Sequence, residues 1–185
     1  MAKVQHSKKQ AILVVGLHRS GVRMFMESLN VLGVPCSFGE NQKYDKGFKD
    51  ASESLLAHHF VFKPGQALKD VRRPLRALRN QGYDVRIAAI HRDPRYLVAS
   101  HVAYEPHKAV EFQVENDYAL TYLHILTDLF YEAVPFTWVK YSMWVKNHGY
   151  RQAILQDLRV PNADRLEEHT MFFNANRNHE APTNE

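Results

Sequence analysis

Ala11-Ile-Leu-Val-Val-Gly-Leu-His-Arg-Ser-Gly21 is the stretch whose reading decides the fold. Residues 11–16 form a short, branched, wholly apolar run, as a central parallel strand covered on both faces requires. The run ends abruptly in a polar turn bearing Arg and Ser. A helical pattern follows from Gly21 to about Leu32, stopped by Gly33 and Pro35. Further along, Ile87-Ala-Ala-Ile-His-Arg-Asp-Pro-Arg-Tyr-Leu-Val-Ala-Ser100 has the same organisation. There Asp93 and Pro94 suit an N-cap and a first helical position. In an open α/β sheet, ligands bind beyond the carboxyl ends of such strands. Two such turns side by side would suit a ligand with phosphates at two separated positions.

Working outward, the chain alternates strand and helix. Residues 34–47 read as loop, with turn signals at Gly39 and Asp45. A helix is predicted from about Asp50 to His59, leading to a short strand at 60–62. Asp70 is placed to cap a helix through Asn80, closed by Gly82, and a strand follows at 84–90. A long helical pattern from about Val110 to Ala133 leads to a strand at 136–140 and a last helix near 143–158. Tyr118, Tyr122, Phe130 and Tyr131 fall at near-helical spacing and read as core, with one or two available to line an acceptor pocket. The fold class is α/β: a three-layer sandwich with a central, mostly parallel sheet, P-loop-like. Residues 1–173 make one domain and 174–185 a polar, frayed tail.

The first turn has the chemistry of an anion site. Gly16 and Gly21 have P-loop spacing, in which backbone N–H groups wrap a phosphate and the next helix adds its positive end. A nucleotide triphosphatase would continue with Lys and a hydroxyl residue for Mg²⁺. Here those positions are Val22 and Arg23, which argues against a metal–nucleotide site and against a small P-loop kinase or nucleotide hydrolase. Arg19, beside Ser20, can instead donate paired hydrogen bonds to an anionic oxygen without a metal. In the second turn, Arg92 at the strand's end and Ser100 about two helical turns later can hold one phosphate monoester by charge and hydroxyl. The competing readings are an ordinary strand–turn–helix corner for the first segment, and an Arg92–Asp93 pair with a packed Ser100 for the second.

On these motifs the chain resembles sulfotransferases that use 3′-phosphoadenosine-5′-phosphosulfate. Val14-Val-Gly-Leu-His-Arg-Ser-Gly21 is similar to their 5′-phosphosulfate loop, and Arg92 through Ser100 to their 3′-phosphate motif. Lys46-Gly-Phe-Lys-Asp50, Phe60-Val-Phe-Lys-Pro64 and Phe136-Thr-Trp-Val-Lys-Tyr141, then Leu158-Arg-Val-Pro161, are similar in order and spacing to further segments. The resemblance implies transfer of a sulfonate group to a hydroxyl or amine of a small-molecule, sugar, lipid or peptide acceptor, with 3′,5′-adenosine bisphosphate as product and no metal. It implies cofactor contacts from Gly16, His18, Arg19, Ser20, Gly21, Val22, Arg23, Arg92 and Ser100. Arg19, and more weakly His18, would stabilise charge on the leaving group. Glu40 resembles the catalytic Glu of protein-tyrosine sulfotransferases; read alone it is as well a solvated loop carboxylate. His58 and His59 are alternative bases by likeness to cytosolic relatives, and a helix-end pair by position. Lys63 would reach donor or acceptor, or is a plain surface Lys. Where the family usually carries Thr after Ser-Gly, this chain has Val22 and Arg23, so a non-catalytic nucleotide-binding module is the further alternative.

Composition is consistent with these readings. The chain has 185 residues, 45% hydrophobic, and a net charge of +4, which favours anionic ligands. One cysteine, Cys36, excludes an internal disulfide framework and suits a reducing, cytoplasmic setting. No stretch approaches the roughly 20 apolar residues of a membrane span, so no membrane is expected as a partner. Arg72, Arg73, Arg76 and Arg79 share a helix but lack interleaved aromatics, so they read as a solvated face, not a nucleic-acid surface. The eleven histidines show no zinc-type spacing.

Overall fold

The computed structural model describes residues 9–37, 55–62, 71–104 and 111–169. Strand β1 (Gln10–Leu17) occupies the centre of a parallel sheet, with β3 (Leu55–Phe62) on one side and β4 (Asp84–His91) on the other. Beyond β3 lies the two-residue edge β2 (Cys36–Ser37), and beyond β4 the edge strand β5 (Phe136–Lys140). The order is β2-β3-β1-β4-β5, four full strands and a short edge. Every pair is parallel, and the described helices lie on both faces of the sheet.

Period-two alternation divides the sheet into two cores. Ile12 and Val14 of β1, with Ala88 and Ile90 of β4, face helix α1 (Val22–Val31), α5 (Tyr141–Lys146), α6 (His148–Asp157) and the 3₁₀ segment Ala163–His169. Ala11, Leu13, Val15 and Leu17, with Ile87 and Ala89, face α2 (Arg72–Asn80), α3 (Pro94–Tyr104) and α4 (Glu111–Tyr131). The result is three layers, helix–sheet–helix, as the alternation of elements implied.

Three sequence expectations need correction. The helix predicted up to His59 is strand from Leu55 onward. Leu56, His58, Phe60 and Phe62 alternate with Leu55, Ala57 and Val61, and the two sets pack into opposite cores. His58 and His59 are therefore strand neighbours, not a helix end. The last helix is two, because Asn147 takes an extended conformation and its side chain accepts a hydrogen bond from Tyr150 N at 2.9 Å, capping a fresh start. The aromatics of α4 are not all core. Tyr118 is buried and Tyr122 half-buried, whereas Phe130 and Tyr131 stand in solvent. At 100° per residue, positions 130 and 131 lie on the far side of the helix from Tyr118, Ile125 and Leu129. The Arg-rich face of α2 is solvated as expected, with Arg73, Arg76 and Arg79 exposed, and it is also ion-paired. Arg76 Nη2 pairs with Glu132 at 2.7 Å, Arg79 with Glu132 at 3.5 Å and Arg72 with Asp128 at 3.7 Å, linking α2 to α4 and its end.

Among the described residues, no helix is long and apolar enough to cross a membrane. The Cys36 thiol lies against the Val34 and Met26 carbonyls, and burial pushes its pKa up to about 12.

Candidate functional site

The connection leaving β1 runs toward β2 and β3, and the one leaving β4 runs toward β5. The two neighbouring strands thus send their chains in opposite directions, and a crevice opens between their carboxyl ends. This is the topological switch point at which open α/β sheets bind ligands. Both sequence motifs end there, one on each side.

Strand β1 extends through Leu17, so Gly16 lies inside the strand and the turn proper is His18 to Gly21. His18 N donates to Phe62 O at 2.7 Å, which ties the turn to the end of β3, and Ser20 N closes it on Leu17 O at 3.0 Å. Arg19 sits at the apex with φ 69°, a left-handed conformation that costs a non-glycine residue about 1–2 kcal/mol. Such strain persists where surrounding contacts over-determine it, and those contacts are present. Arg19 Nε donates to Ser100 Oγ on α3 at 3.2 Å. The Arg19 carbonyl accepts from Arg92 Nη1 at 3.1 Å. The residues singled out in the two motifs are therefore joined directly.

Two tyrosines complete the frame: Tyr141, for which the sequence suggested no role, and Tyr122, which it marked as core or as lining an acceptor pocket. Tyr141, the first residue after β5, lays its ring against Gly21. A β-carbon on Gly21 would fall 2.2 Å from Tyr141 Cδ2, and the residue's φ of 100° also suits glycine alone. The Arg92 guanidinium lies over the same ring, 4.6 Å from its centroid. Tyr141 is thus held between Gly21 of one motif and Arg92 of the other. Tyr122 of α4 fixes the second turn from below: Arg92 N donates to its oxygen and its hydroxyl donates to Ile90 O, both at 3.1 Å. Burial raises the Tyr122 pKa, which keeps the phenol protonated and able to donate. The available signal for Tyr141 was its position directly after a parallel strand, at the same edge of the sheet as both turns.

The remaining site candidates divide. Gly16 is occupied by protein: a β-carbon there would meet Val22 Cγ2 at 2.6 Å and Ser20 Oγ at 2.7 Å. Its role in this arrangement is to let α1 pack closely on β1. Ser20 is fully buried, and its Oγ has no hydrogen-bond partner among the described residues. An orphaned hydroxyl costs about 1–3 kcal/mol, and a ligand oxygen or water beneath the turn would satisfy it. The Val22 side chain is in the core. Arg23 is exposed and paired with Glu27 one turn along α1 at 2.9 Å, away from the turn. Glu40 and Lys63 lie outside the described residues. His58 pairs in register with Leu13, four residues before the end of β1, roughly 13 Å back along the strand. Burial, and less the His59 charge, pushes its pKa down to about 4.

The electrostatics favour an anion. Helix α1 opens at Gly21 with no side-chain cap and no acidic residue in its own first turn, so nothing in the helix's first turn offsets its positive end. Asp93 is the nearest acid on the second turn. Its carboxylate caps α3 through Arg95 N at 3.0 Å and takes a double hydrogen bond from the Arg95 side chain, which holds its pKa below the usual range. No group of three His, Cys, Asp or Glu side chains placed to hold a metal occurs among the described residues. No family model matches this chain, and no curated protein matches it in sequence.

Proposed function

We propose that this chain binds 3′-phosphoadenosine-5′-phosphosulfate across the β1/β4 crevice and transfers its sulfonate group to a hydroxyl or amine acceptor. The observation that carries the reading is the 3.2 Å contact between Arg19 Nε and Ser100 Oγ, which unites the two turns at the switch point. It supports a ligand with two anionic groups, because each turn contributes one guanidinium and the first adds a helix N-terminus. The choice of a sulfonate donor rests on the motif resemblance, including the spacing from Arg92 to Ser100.

In this reading the acceptor atom bonds to sulfur as the bond from sulfur to the bridging phosphate oxygen breaks. The electron pair stays on that oxygen, and Arg19 offsets the charge that gathers there. Arg92 and Ser100 hold the 3′-phosphate. A guanidinium has five N–H donors, one of which Arg92 gives to the Arg19 carbonyl. The acceptor's proton passes to a base, for which Glu40 is the candidate from the resemblance.

A second reading is a non-catalytic binding module on the same scaffold. It is favoured by the placement of Val22 and Arg23, since neither presents a hydroxyl or a free charge to the crevice. Calorimetric titration separates the readings from each other and from a kinase. The sulfotransferase expects 3′,5′-adenosine bisphosphate to bind without Mg²⁺, ATP to bind weakly, and labelled sulfonate to pass from donor to some member of an acceptor panel. Bisphosphate binding without transfer points to the module, and tight Mg²⁺-dependent ATP binding alone rejects both.

A further inference from the structure

Helix α4 is built inside out over its second half. Its inner face carries the buried acid Asp128 and buried Thr121 beside Tyr118, Ile125 and Leu129. Its outer face carries Leu120, Leu123, Phe130 and Tyr131, which are 63%, 62%, 74% and 79% exposed. These positions, with Thr127 between them, recur at three- and four-residue steps and so form one stripe. The Thr127 hydroxyl is satisfied within the helix, donating to Leu123 O at 2.8 Å. From Tyr118 to Tyr131 the only ionisable acid or base groups besides tyrosine are His124 and Asp128, and Asp128 is turned inward. A solvated helix ordinarily places its charges on this outer side.

The stripe continues onto the sheet. The Phe130 ring meets Phe136 edge-on at 6.3 Å, and Phe136 meets Trp138 at 6.2 Å. Trp138 stands 38% exposed on edge strand β5, backed by the stacked ring of His91. Aromatic side chains carry about 150–250 Å² each, so at these exposures the patch offers roughly 600–700 Å² of apolar surface. That is at or beyond the largest patch of an ordinary monomer, roughly 300–600 Å².

We infer that this face joins two copies of the chain about a two-fold axis passing near Thr127. The area argues for it: two such patches meeting bury roughly 1,200–1,400 Å², within the range of a stable protein–protein interface. A two-fold places the same surface on itself, and an uncharged apolar stripe satisfies that condition without desolvating any ion. Thr127, the smallest side chain of the stripe, lets two helices approach closely at the axis, with Leu123 and Phe130 filling the grooves on either side. An anionic lipid surface suits the patch poorly. Helix α4 contains Glu111, Glu115, Asp117 and Asp128 and no Lys or Arg, whereas membrane-surface helices border their apolar face with basic residues. The inference is independent of the function proposed above.

The test is sedimentation equilibrium of the full chain from about 1 to 100 μM, with the Leu123→Asp/Phe130→Glu double variant alongside. The wild type is expected at twice the 21.5 kDa of one chain, and the variant at the single mass with an unchanged far-ultraviolet circular dichroism spectrum. A dissociation constant raised at least about 100-fold is the expected shift. Thr127→Cys in a Cys36→Ser background supplies a second readout, since residues at a two-fold axis meet their own copies: oxidation is expected to give a covalent dimer, whereas Arg159→Cys, at an exposed position on the other side of the sheet, is expected to give none. A wild type that stays monomeric at 100 μM overturns the inference, as does a dimer that survives the double variant. A monomer that floats with phosphatidylcholine vesicles overturns it in favour of a lipid surface.

Discussion

Replacing Gly21 by alanine tests the architecture of the site more directly than removing a charged side chain. The substitution adds one methyl group and meets two separate penalties. The first is conformational: φ is 100° at Gly21, and a left-handed residue with a β-carbon costs about 1–2 kcal/mol. The second is steric, because the new carbon would lie 2.2 Å from Tyr141 Cδ2 and 2.4 Å from Cε2. Relieving that overlap must push the ring off Gly21, and overpacking of this kind costs about 1–3 kcal/mol. The total expected loss is therefore about 2–5 kcal/mol. Gly82 provides the control: its φ is 82°, yet nothing lies within 4 Å of a β-carbon there. Gly82→Ala should show the conformational cost alone. Thermal and urea unfolding of both variants gives the difference, and bisphosphate titration gives its consequence for the crevice. Tyr141→Leu in the Gly21→Ala background should return most of the steric cost, a coupling of about 1–3 kcal/mol in a double-mutant cycle. If Gly21→Ala loses no more stability than Gly82→Ala, Tyr141 does not pack as described and the frame of the site is wrong.

Three further outcomes are expected. Arg92→Ala should weaken 3′,5′-adenosine bisphosphate by about 1.5–3 kcal/mol and adenosine 5′-phosphate much less, read by calorimetry; equal losses would mean that Arg92 acts only by supporting the Arg19 carbonyl. Arg19→Ala should lower sulfonate transfer and donor affinity together, whereas Glu40→Gln should leave donor binding intact and cut transfer by about 10²–10⁴-fold; full activity in Glu40→Gln would move the base elsewhere. His58, whose folded pKa of about 4 lies below its ordinary 6.5, binds its proton more readily in the unfolded chain. Stability should thus be fully present above pH 6.5 and fall by about 3 kcal/mol toward pH 4, and His58→Leu should flatten that limb in urea titrations taken across the window; an unaltered slope would place the His58 ring in water.

The class of the fold was legible because burial leaves a plain mark on a central strand. Residues 11–16 and 87–90 are covered on both faces, so they read as unbroken apolar runs. The helix after each announced itself through local chemistry, and the Asp93–Pro94 start appears as expected, with the Asp93 carboxylate on Arg95 N. The same local logic failed at Leu55–Phe62. There two histidines interrupt the apolar run, and only pairing with β1 and β2 makes strand the better state for the whole segment. It failed again on α4, where aromatic spacing marks a stripe but not which way the stripe faces. That direction depends on where the helix meets the sheet and on the Arg72–Asp128 and Arg76–Glu132 pairs that pin its inner side.

For the site, the sequence by itself determined the two turns, their Arg and Ser residues, and the strand ends that carry them. Those are properties of short segments, fixed by a few adjacent residues. Tertiary structure alone decided that Arg19 reaches Ser100, that Arg92 holds the Arg19 carbonyl, and that Tyr141 is wedged between Gly21 and Arg92. Each of those contacts joins residues on different strands' exits, and only the order β3-β1-β4-β5 brings the exits together at one edge. Strand order is a global outcome of burying both faces of the sheet, so no single stretch of sequence records it.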